Sequence, residues 1–127
     1  MQTGLILENS DEIGFVTNCL LSQAINITEL NQWAVSMIQN NDIDNLPFYI
    51  IDLVDFSGFP GEVYSVIGFA PIWNSSDEHE LALYGIVAKR GITPYNLEVT
   101  EKAALNALSK HPEIEKRFRE TFPFIDF

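Results

Sequence analysis

The sequence predicts an all-α protein, a single domain over residues 1–127 that is a bundle of about six or seven short helices. Apolar residues recur every three or four positions through most of the chain, which is the period of a helix facing a core. Residues typical of helix starts precede several of these stretches. The connections are short, and the chain has no internal repeat, low-complexity tract or flexible linker. A chain of this length can bury one core.

Two helices are predicted in the first third of the chain. Residues 9–22 open with Asn9 and Glu12 at the spacing of a capping box, and their apolar side chains fall on one stripe. In the next segment Thr28 is the predicted cap, and the apolar residues after it repeat at i, i+3, i+4, i+7 and i+8. The polar turn at residues 40–42 should end this second helix.

The next segment, residues 47–56, could be read as a strand or as a helix. It contains several β-forming side chains, but Pro47 suits the first turn of a helix. Asp52 and Asp55 are three positions apart, so a helix places them on one face, away from Ile51 and Val54. We therefore favour a helix, which should end at Gly58.

Another short helix is predicted to open at Pro60 and to continue as far as Ala70, because its apolar residues keep helical spacing. Gly68 within it is tolerable if a neighbouring helix packs close. After a loop, Ser75 and Glu78 have the spacing of a capping box.

Three more features predict the C-terminal helices and the tail. Residues 77–90 carry acids in the first turn, basic residues in the last turn and a glycine directly afterwards, which suits the helix dipole and a helix end. Thr100 is the predicted cap of a helix over residues 101–110, and Pro112 begins the final helix. The tail, residues 123–127, is apolar enough to dock onto the folded chain.

Charge is distributed unevenly along the chain. The first 88 residues contain 12 acids and no lysine or arginine, whereas all seven basic residues lie in the last 39. A surface of one sign repels itself and weakens the compact state, so we expect it to meet a positively charged partner. The same acidity argues against direct binding to nucleic acid or to a membrane surface.

The sequence also favours a cytoplasmic location. No run approaches the roughly 20 apolar residues that span a bilayer, and the first residues lack the basic segment of a signal peptide. The single cysteine cannot form an internal disulfide, which fits a reducing compartment.

No catalytic, cofactor or metal motif is complete, so we expect a protein that is not an enzyme and needs no cofactor. Residues 40–51 begin like a calcium loop but lack its glycine and its final glutamate. His79 and Glu80 begin a zinc-protease pattern whose second histidine is missing. We therefore interpret His79 and His111 as solvated helix residues, and Cys19 as a buried apolar residue.

Aromatic residues lie among the acids, and together they predict a protein interface. Aromatic anchors surrounded by charge are typical of tight interfaces, and a negative patch speeds the approach of a basic partner. The aromatic residues in question are Tyr49, Phe56, Phe59, Tyr64 and Trp73. The predicted partner-binding residues are Asp42, Asp44, Asp52, Asp55, Phe56, Phe59, Glu62, Asp77 and Glu78.

Four segments resemble a known family: YIIDLVDFSGF, VIGFAPIW, LALYGIVAKRGI and RFRETFPFI. They are similar to the small bacterial immunity proteins that are paired with contact-dependent growth inhibition toxins, often called CdiI. The resemblance implies a cytoplasmic protein that binds the toxic C-terminal domain of its cognate effector and blocks it. That domain is commonly a nuclease. An enzyme that binds RNA phosphates is itself basic, so its charge would complement the acidic surface of this chain. The resemblance implies no individual contact residues.

Two other functions remain open from the sequence. An adaptor or a nucleic-acid mimic could use the same acidic surface on a basic cellular protein. A small hydrolase could use acidic side chains with a recruited metal. Neutralisation of one cognate toxin separates the immunity function from the adaptor, and stabilisation by metal on heating would support the hydrolase.

Overall fold

The computed structural model describes residues 3–92 and 99–127. Over these residues the chain forms seven α-helices and two short 3₁₀ helices, without a β-strand, so the predicted all-α class is confirmed. The α-helices are α1 (Asp11–Leu21), α2 (Ile27–Asn40), α3 (Tyr49–Val54), α4 (Val63–Ile67), α5 (Asp77–Lys89), α6 (Glu101–Lys110) and α7 (Pro112–Thr121). The 3₁₀ helices cover Ile43–Asn45 and Pro60–Glu62.

The chain divides into two compact units. Unit 1 comprises Met1–Leu21 and Ile25–Asn74, and it holds α1 to α4. Unit 2 comprises Ser22–Ala24 and Ser75–Phe127, and it holds α5 to α7. Within the described ranges, none of the helices is long and apolar enough to cross a membrane.

The core of unit 1 is built on α1. A Cβ atom at Gly14 would lie only 2.6 Å from the backbone nitrogen of Trp73, so glycine is needed where this segment crosses the helix. The Trp73 ring meets the buried Phe15 ring edge to face, with 5.2 Å between their centroids. The Tyr49 hydroxyl donates to the carbonyl of Leu5, which ties α3 to the N-terminal segment.

A side chain of α2 fixes the end of α3. The Asn31 amide nitrogen donates to the carbonyls of Leu53 at 2.7 Å and Phe56 at 3.1 Å, which ties α2 to the last turn of α3 and to the turn that follows it. Within α3, the side chains of Tyr49, Ile50 and Leu53 are buried. One face of α3 is therefore held against the core, and the opposite face is turned outward.

The start of α2 differs from the prediction. Its cap is Asn26 rather than Thr28, and it forms a complete capping box with Glu29. The Asn26 side chain accepts the Glu29 N–H at 2.8 Å, and the Glu29 carboxylate accepts the Asn26 N–H at 2.9 Å. Asn26 competes better for the cap because its side chain and backbone are both used in this reciprocal pair.

The short helices of unit 1 are shorter than predicted. α3 ends at Val54, four residues before Gly58. The helix predicted from Pro60 to Ala70 is a 3₁₀ turn followed by α4, which ends at Gly68. Gly68 has a φ of 89°, a left-handed conformation that terminates a helix and suits glycine. It is therefore a helix end, and it does not serve close packing as we expected.

Unit 2 depends on a close approach of α5 and α6. A Cβ atom at Gly85 would lie 2.6 Å from the carbonyl oxygen of Ala104 and 2.7 Å from the Cβ of Leu108. The predicted cap of α6 is confirmed, because the Thr100 hydroxyl accepts the Ala103 N–H at 3.1 Å. The helices predicted over residues 77–90 and 101–110 agree with α5 and α6 to within one residue.

The C-terminal tail docks onto α7, as predicted. Phe122 and Ile125 are buried, and the Phe127 ring lies edge to face on Phe118 with 5.7 Å between centroids. The Arg119 guanidinium lies 4.0 Å from the centre of the Phe127 ring, a cation–π contact. The tail is therefore part of the folded structure of unit 2.

Candidate functional site

One side of α3 is turned toward solvent. Ile51 and Asp52 lie in α3, and Phe48 and Asp55 are its two cap residues. Their spacing of i, i+3, i+4 and i+7 places the four on one side of the helix and its ends. All four are exposed, with Phe48 at 89% and Ile51 at 46%. We call these four residues the α3 face. It combines two uncovered apolar side chains with two carboxylates.

Exposure of this apolar surface has a cost in stability. Burial of a large apolar side chain stabilises a protein by about 1.5–3 kcal/mol, and Phe48 gives up nearly all of it. The other side of α3 is buried, and burial there raises the pKa of the Tyr49 hydroxyl. An exposed phenylalanine among carboxylates is typical of a surface that a partner covers.

Acids continue along the chain on both sides of the α3 face. Asp42 caps the first 3₁₀ helix, Asp44 lies in it, and Glu62 lies in the second; all three are exposed. The Asp42 carboxylate accepts the Asp44 N–H at 3.1 Å, and the Glu62 carboxylate accepts the Phe59 N–H at 3.4 Å. Phe59 itself is 78% exposed. Unit 1 contains no lysine, arginine or histidine that could neutralise these carboxylates from within the unit.

One predicted partner-binding residue lies in the wrong place for contact. Phe56 is only 8% exposed and belongs to the core of unit 1. Tyr49 and Trp73 are buried too, so Phe59 is the one fully exposed aromatic residue among the five that the sequence suggested. We therefore remove Phe56 from the proposed contact surface.

Two residues of the α3 face were missed by the sequence analysis. Phe48 was not selected, and Ile51 was expected on the side opposite Asp52 and Asp55, whose face it shares. The signal was available in the helical spacing of Phe48 with the two aspartates. It was overlooked because apolar residues at helical spacing usually face the core.

Asp77 and Glu78, the last two predicted partner-binding residues, lie in unit 2. Asp77 is exposed in the first turn of α5, where its charge suits the helix dipole. Glu78 is engaged with a histidine of the same unit: its Oε2 lies 2.7 Å from Nε2 of His111.

Both histidines of the chain take part in this contact region. We call Glu78, His79, His111 and Glu113 the histidine cluster. His111 also brings its Nδ1 to 3.2 Å from Glu113 Oε1, and the rings of His79 and His111 lie edge to face with centroids 4.8 Å apart. The sequence suggested two solvated helix residues, whereas His79 lies in α5, His111 lies between α6 and α7, and their rings contact each other.

Helix ends position the two rings. α5 is capped by Ser76, one residue after the predicted Ser75, and its hydroxyl accepts the His79 N–H at 3.2 Å. In return the His79 Nδ1 accepts the Ser76 N–H at 3.2 Å, so a histidine takes the place of the usual glutamate in the capping box. His111 is the residue that joins α6 to α7, with Pro112 at the first position of α7.

The contacts of the cluster shift the pKa values of Glu78, His111 and Glu113. The hydrogen bond with Glu78 raises the pKa of His111, against a smaller opposing effect of desolvation. The same hydrogen bond lowers the pKa of Glu78. The pKa of Glu113 is lowered first by its own backbone N–H and then by His111. These side chains thus form one electrostatically coupled group at the surface of unit 2.

Unit 2 also has an open groove of about 690 Å³ along α6 and α7. Three basic residues line it: Lys89, Lys116 and Arg119. Lys89 and Arg119 both contact Glu115, at 2.7 Å and 3.2 Å respectively, so two of these three cations are already paired. The groove therefore carries less evidence of a ligand than the α3 face or the histidine cluster.

Comparison with models of protein families, with curated proteins and with solved structures found no match for this chain. Functional proposals therefore depend on the residues of the α3 face and of the histidine cluster.

Proposed function

We propose that this chain is an immunity protein, which binds and neutralises the toxic C-terminal domain of a contact-dependent growth inhibition effector. The expected partner is a basic nuclease domain that cleaves RNA or tRNA. One observation carries the proposal: the α3 face presents Phe48 and Ile51 to solvent in a unit that has nine carboxylates and no basic side chain. The resemblance of four segments to immunity proteins supports the same function.

Binding would use the apolar and the acidic residues in different ways. Phe48 and Phe59 are the most exposed of the large apolar side chains that the structure describes and can fill pockets on a partner; such central anchors supply most of the binding energy in an interface. The carboxylates around them steer a basic domain toward the surface and raise the association rate by about tenfold to a thousandfold at low salt. Steering by the carboxylates predicts fast, salt-sensitive association, and anchoring by the phenylalanines predicts slow dissociation.

Inhibition follows from what a nuclease must bind. A nuclease active site is lined with cationic side chains that hold phosphates, and these are attracted to carboxylates as well. The acidic surface of unit 1 would occupy this site in place of the substrate or bind beside it and exclude the substrate. In both cases the chain acts by binding, without catalysis of its own.

A viability count tests the proposal directly. The C-terminal toxin domain encoded immediately upstream of this gene is expressed in a susceptible host, alone and together with this chain. We expect lethality alone and rescue by co-expression, with no rescue by an unrelated acidic protein. Lethality that persists in the presence of the folded chain would contradict the proposal.

Substitution of single exposed side chains tests the α3 face itself. Phe48→Ala should weaken binding to the toxin domain at least about tenfold, which corresponds to roughly 1.4 kcal/mol. Ile72→Ala is the matched control, because Ile72 is an exposed apolar residue of the same unit outside this face. Equal affinities of the two variants, measured by calorimetry, would move the interface elsewhere.

An adaptor or nucleic-acid mimic remains the second candidate, because the same carboxylates would attract a basic cellular protein. The two functions differ in specificity. An immunity protein rescues cells from one cognate domain, whereas a mimic of nucleic acid binds several basic proteins with similar affinity. Binding of the toxin domain without rescue, together with binding of unrelated DNA-binding proteins, would favour the mimic.

A further inference from the structure

Three donor atoms of the histidine cluster already have the spacing of metal ligands. Nδ1 of His111 lies 3.2 Å from Oε1 of Glu113, and Nε2 of His79 lies 3.7 Å from the same oxygen. The three side chains offer donor atoms that all lie within 4.8 Å of one another. Around a tetrahedral zinc ion with bonds of about 2.0–2.1 Å, neighbouring ligand atoms are about 3.3 Å apart. Two of the three separations are therefore close to that value.

Glu78 contacts the second ring nitrogen of His111. Its Oε2 lies 2.7 Å from Nε2 of His111, on the opposite side of the ring from Glu113. Zinc-bound imidazoles usually donate their other N–H to a carboxylate, which fixes the tautomer and the ring orientation. With its proton on Nε2, His111 has the Nδ1 lone pair available toward His79 and Glu113.

We propose that the histidine cluster binds a divalent transition-metal ion of the zinc class, with His79, His111 and Glu113 as ligands and Glu78 as the positioning residue. Two imidazoles and one carboxylate suit zinc, cobalt or nickel, whereas calcium and magnesium prefer oxygen ligands alone. Three protein ligands leave a fourth position for water or for a group from a partner. All of these residues belong to unit 2, so this proposal is independent of the proposed function of unit 1.

Metal binding has a consequence outside the cluster, at the cap of α5. The His79 Nδ1 accepts the Ser76 N–H, so the neutral ring carries its proton on Nε2. A metal ion that binds Nε2 displaces the proton from that nitrogen. Because a neutral imidazole carries one proton, the ring then has its proton on Nδ1 instead. The Ser76 N–H loses its acceptor, and its resonance should therefore move when the ion binds.

The experiment uses the untagged full chain, freed of metal with a chelator and then titrated with Zn²⁺ at neutral pH. Calorimetry should show one ion per chain. Glu113→Gln and His111→Gln should each weaken zinc binding at least about tenfold, and Glu78→Gln should weaken it by a similar or smaller factor. Glu120→Gln is the matched control, because Glu120 is an exposed glutamate of the same helix as Glu113.

Nuclear magnetic resonance of the unaltered chain keeps the test independent of variant folding. Zinc should shift the ring resonances of both histidines together with the backbone amide of Ser76. Absence of saturable zinc binding would overturn the proposal. So would shifts confined to other residues, or ligand variants that remain helical by circular dichroism and bind zinc as tightly as Glu120→Gln.

Discussion

Unit 1 and unit 2 contain the same number of carboxylates but surround them with different side chains. Each unit has nine, and unit 2 adds seven basic residues and both histidines, whereas unit 1 has neither. In unit 2 the acids form specific pairs, such as Glu115 with Lys89 at 2.7 Å and Glu78 with His111 at 2.7 Å. In unit 1 Asp42 and Glu62 accept hydrogen bonds from backbone N–H groups of their own turns, and their charge is directed outward.

The comparison shows that the role of an acid depends on the cations within its reach. A carboxylate with a neighbouring cation forms a local pair, which at the surface is worth about 0–1 kcal/mol. A carboxylate without one adds to a field that acts over a Debye length of roughly 10 Å and reaches other molecules. Unit 2 therefore uses acids such as Glu78 and Glu115 for internal contacts, whereas the exposed Asp52 and Asp55 of unit 1 are suited to a partner.

The largest expected effect concerns the close contact that each unit has at one glycine. Gly14→Ala in unit 1 and Gly85→Ala in unit 2 should each lower the free energy of unfolding by about 2–3 kcal/mol, because backbone atoms block the added methyl group. Gly61→Ala is the control, since nothing lies within 4 Å of a Cβ atom there. Urea denaturation followed by circular dichroism measures all three. Losses below about 0.5 kcal/mol at both tight positions would contradict the described packing.

The next effect separates the acids of the two units. Reversal of charge in Asp52→Lys with Asp55→Lys should slow association with the toxin domain about tenfold or more at low salt and flatten its salt dependence, because electrostatic steering is lost. Glu101→Lys with Glu120→Lys makes the same change of charge in unit 2 and should have a smaller effect. Stopped-flow association with both double variants checks this, with helical circular dichroism unchanged. An equal slowing by both pairs would show that net charge alone matters.

Helix caps give a smaller effect of about 1 kcal/mol in each unit. Asn26→Ala removes the acceptor for the Glu29 N–H, and Thr100→Ala removes the acceptor for the Ala103 N–H. Thr28→Ala is an informative control, because the sequence predicted this residue as the cap and the structure places it within α2. Thermal unfolding should show a loss for the first two variants and almost none for the third. A larger loss of stability from Thr28→Ala than from Asn26→Ala would instead support Thr28 as the cap of α2.

The smallest effect concerns the pairs at the surface of unit 2. Glu115→Gln removes the partner of Lys89 and Arg119, and the free energy of unfolding should fall by about 0.5 kcal/mol or less. High salt should erase this difference, since exposed pairs are screened. Urea denaturation at low and high salt measures it. A loss that persists in high salt would mean that Glu115 stabilises unit 2 through packing as well.

Much of the fold could be predicted because its signals are local. The dipole-matched charges of residues 77–90, the cap at Thr100 and the proline at the start of α7 each act within one helical turn, so reading along the chain finds them. The cap of α2 was placed two residues too late because two polar residues competed for it. The structure decides between them through the reciprocal bonds of Asn26 and Glu29.

The candidate sites were less predictable, because burial and long-range contacts do not follow from local spacing. Phe48 and Phe56 lie eight positions apart in the same segment, and the sequence favoured the one that turned out to be buried. Asn31 of α2 binds the carbonyl of Phe56, a contact between distant positions that no local spacing predicts. No pattern in the sequence relates Glu78 to His111, 33 positions away.

The sequence by itself determined an all-α chain with a strongly acidic N-terminal part, because helical period, capping residues and charge are properties of neighbouring residues or of composition. The tertiary structure alone decided which aromatic residues are exposed and which titratable residues meet. Exposure depends on the side of a helix that the core covers, and the histidine cluster depends on two helix ends being brought together. Both result from packing between segments that are distant in the chain, for which a single sequence carries no local signal.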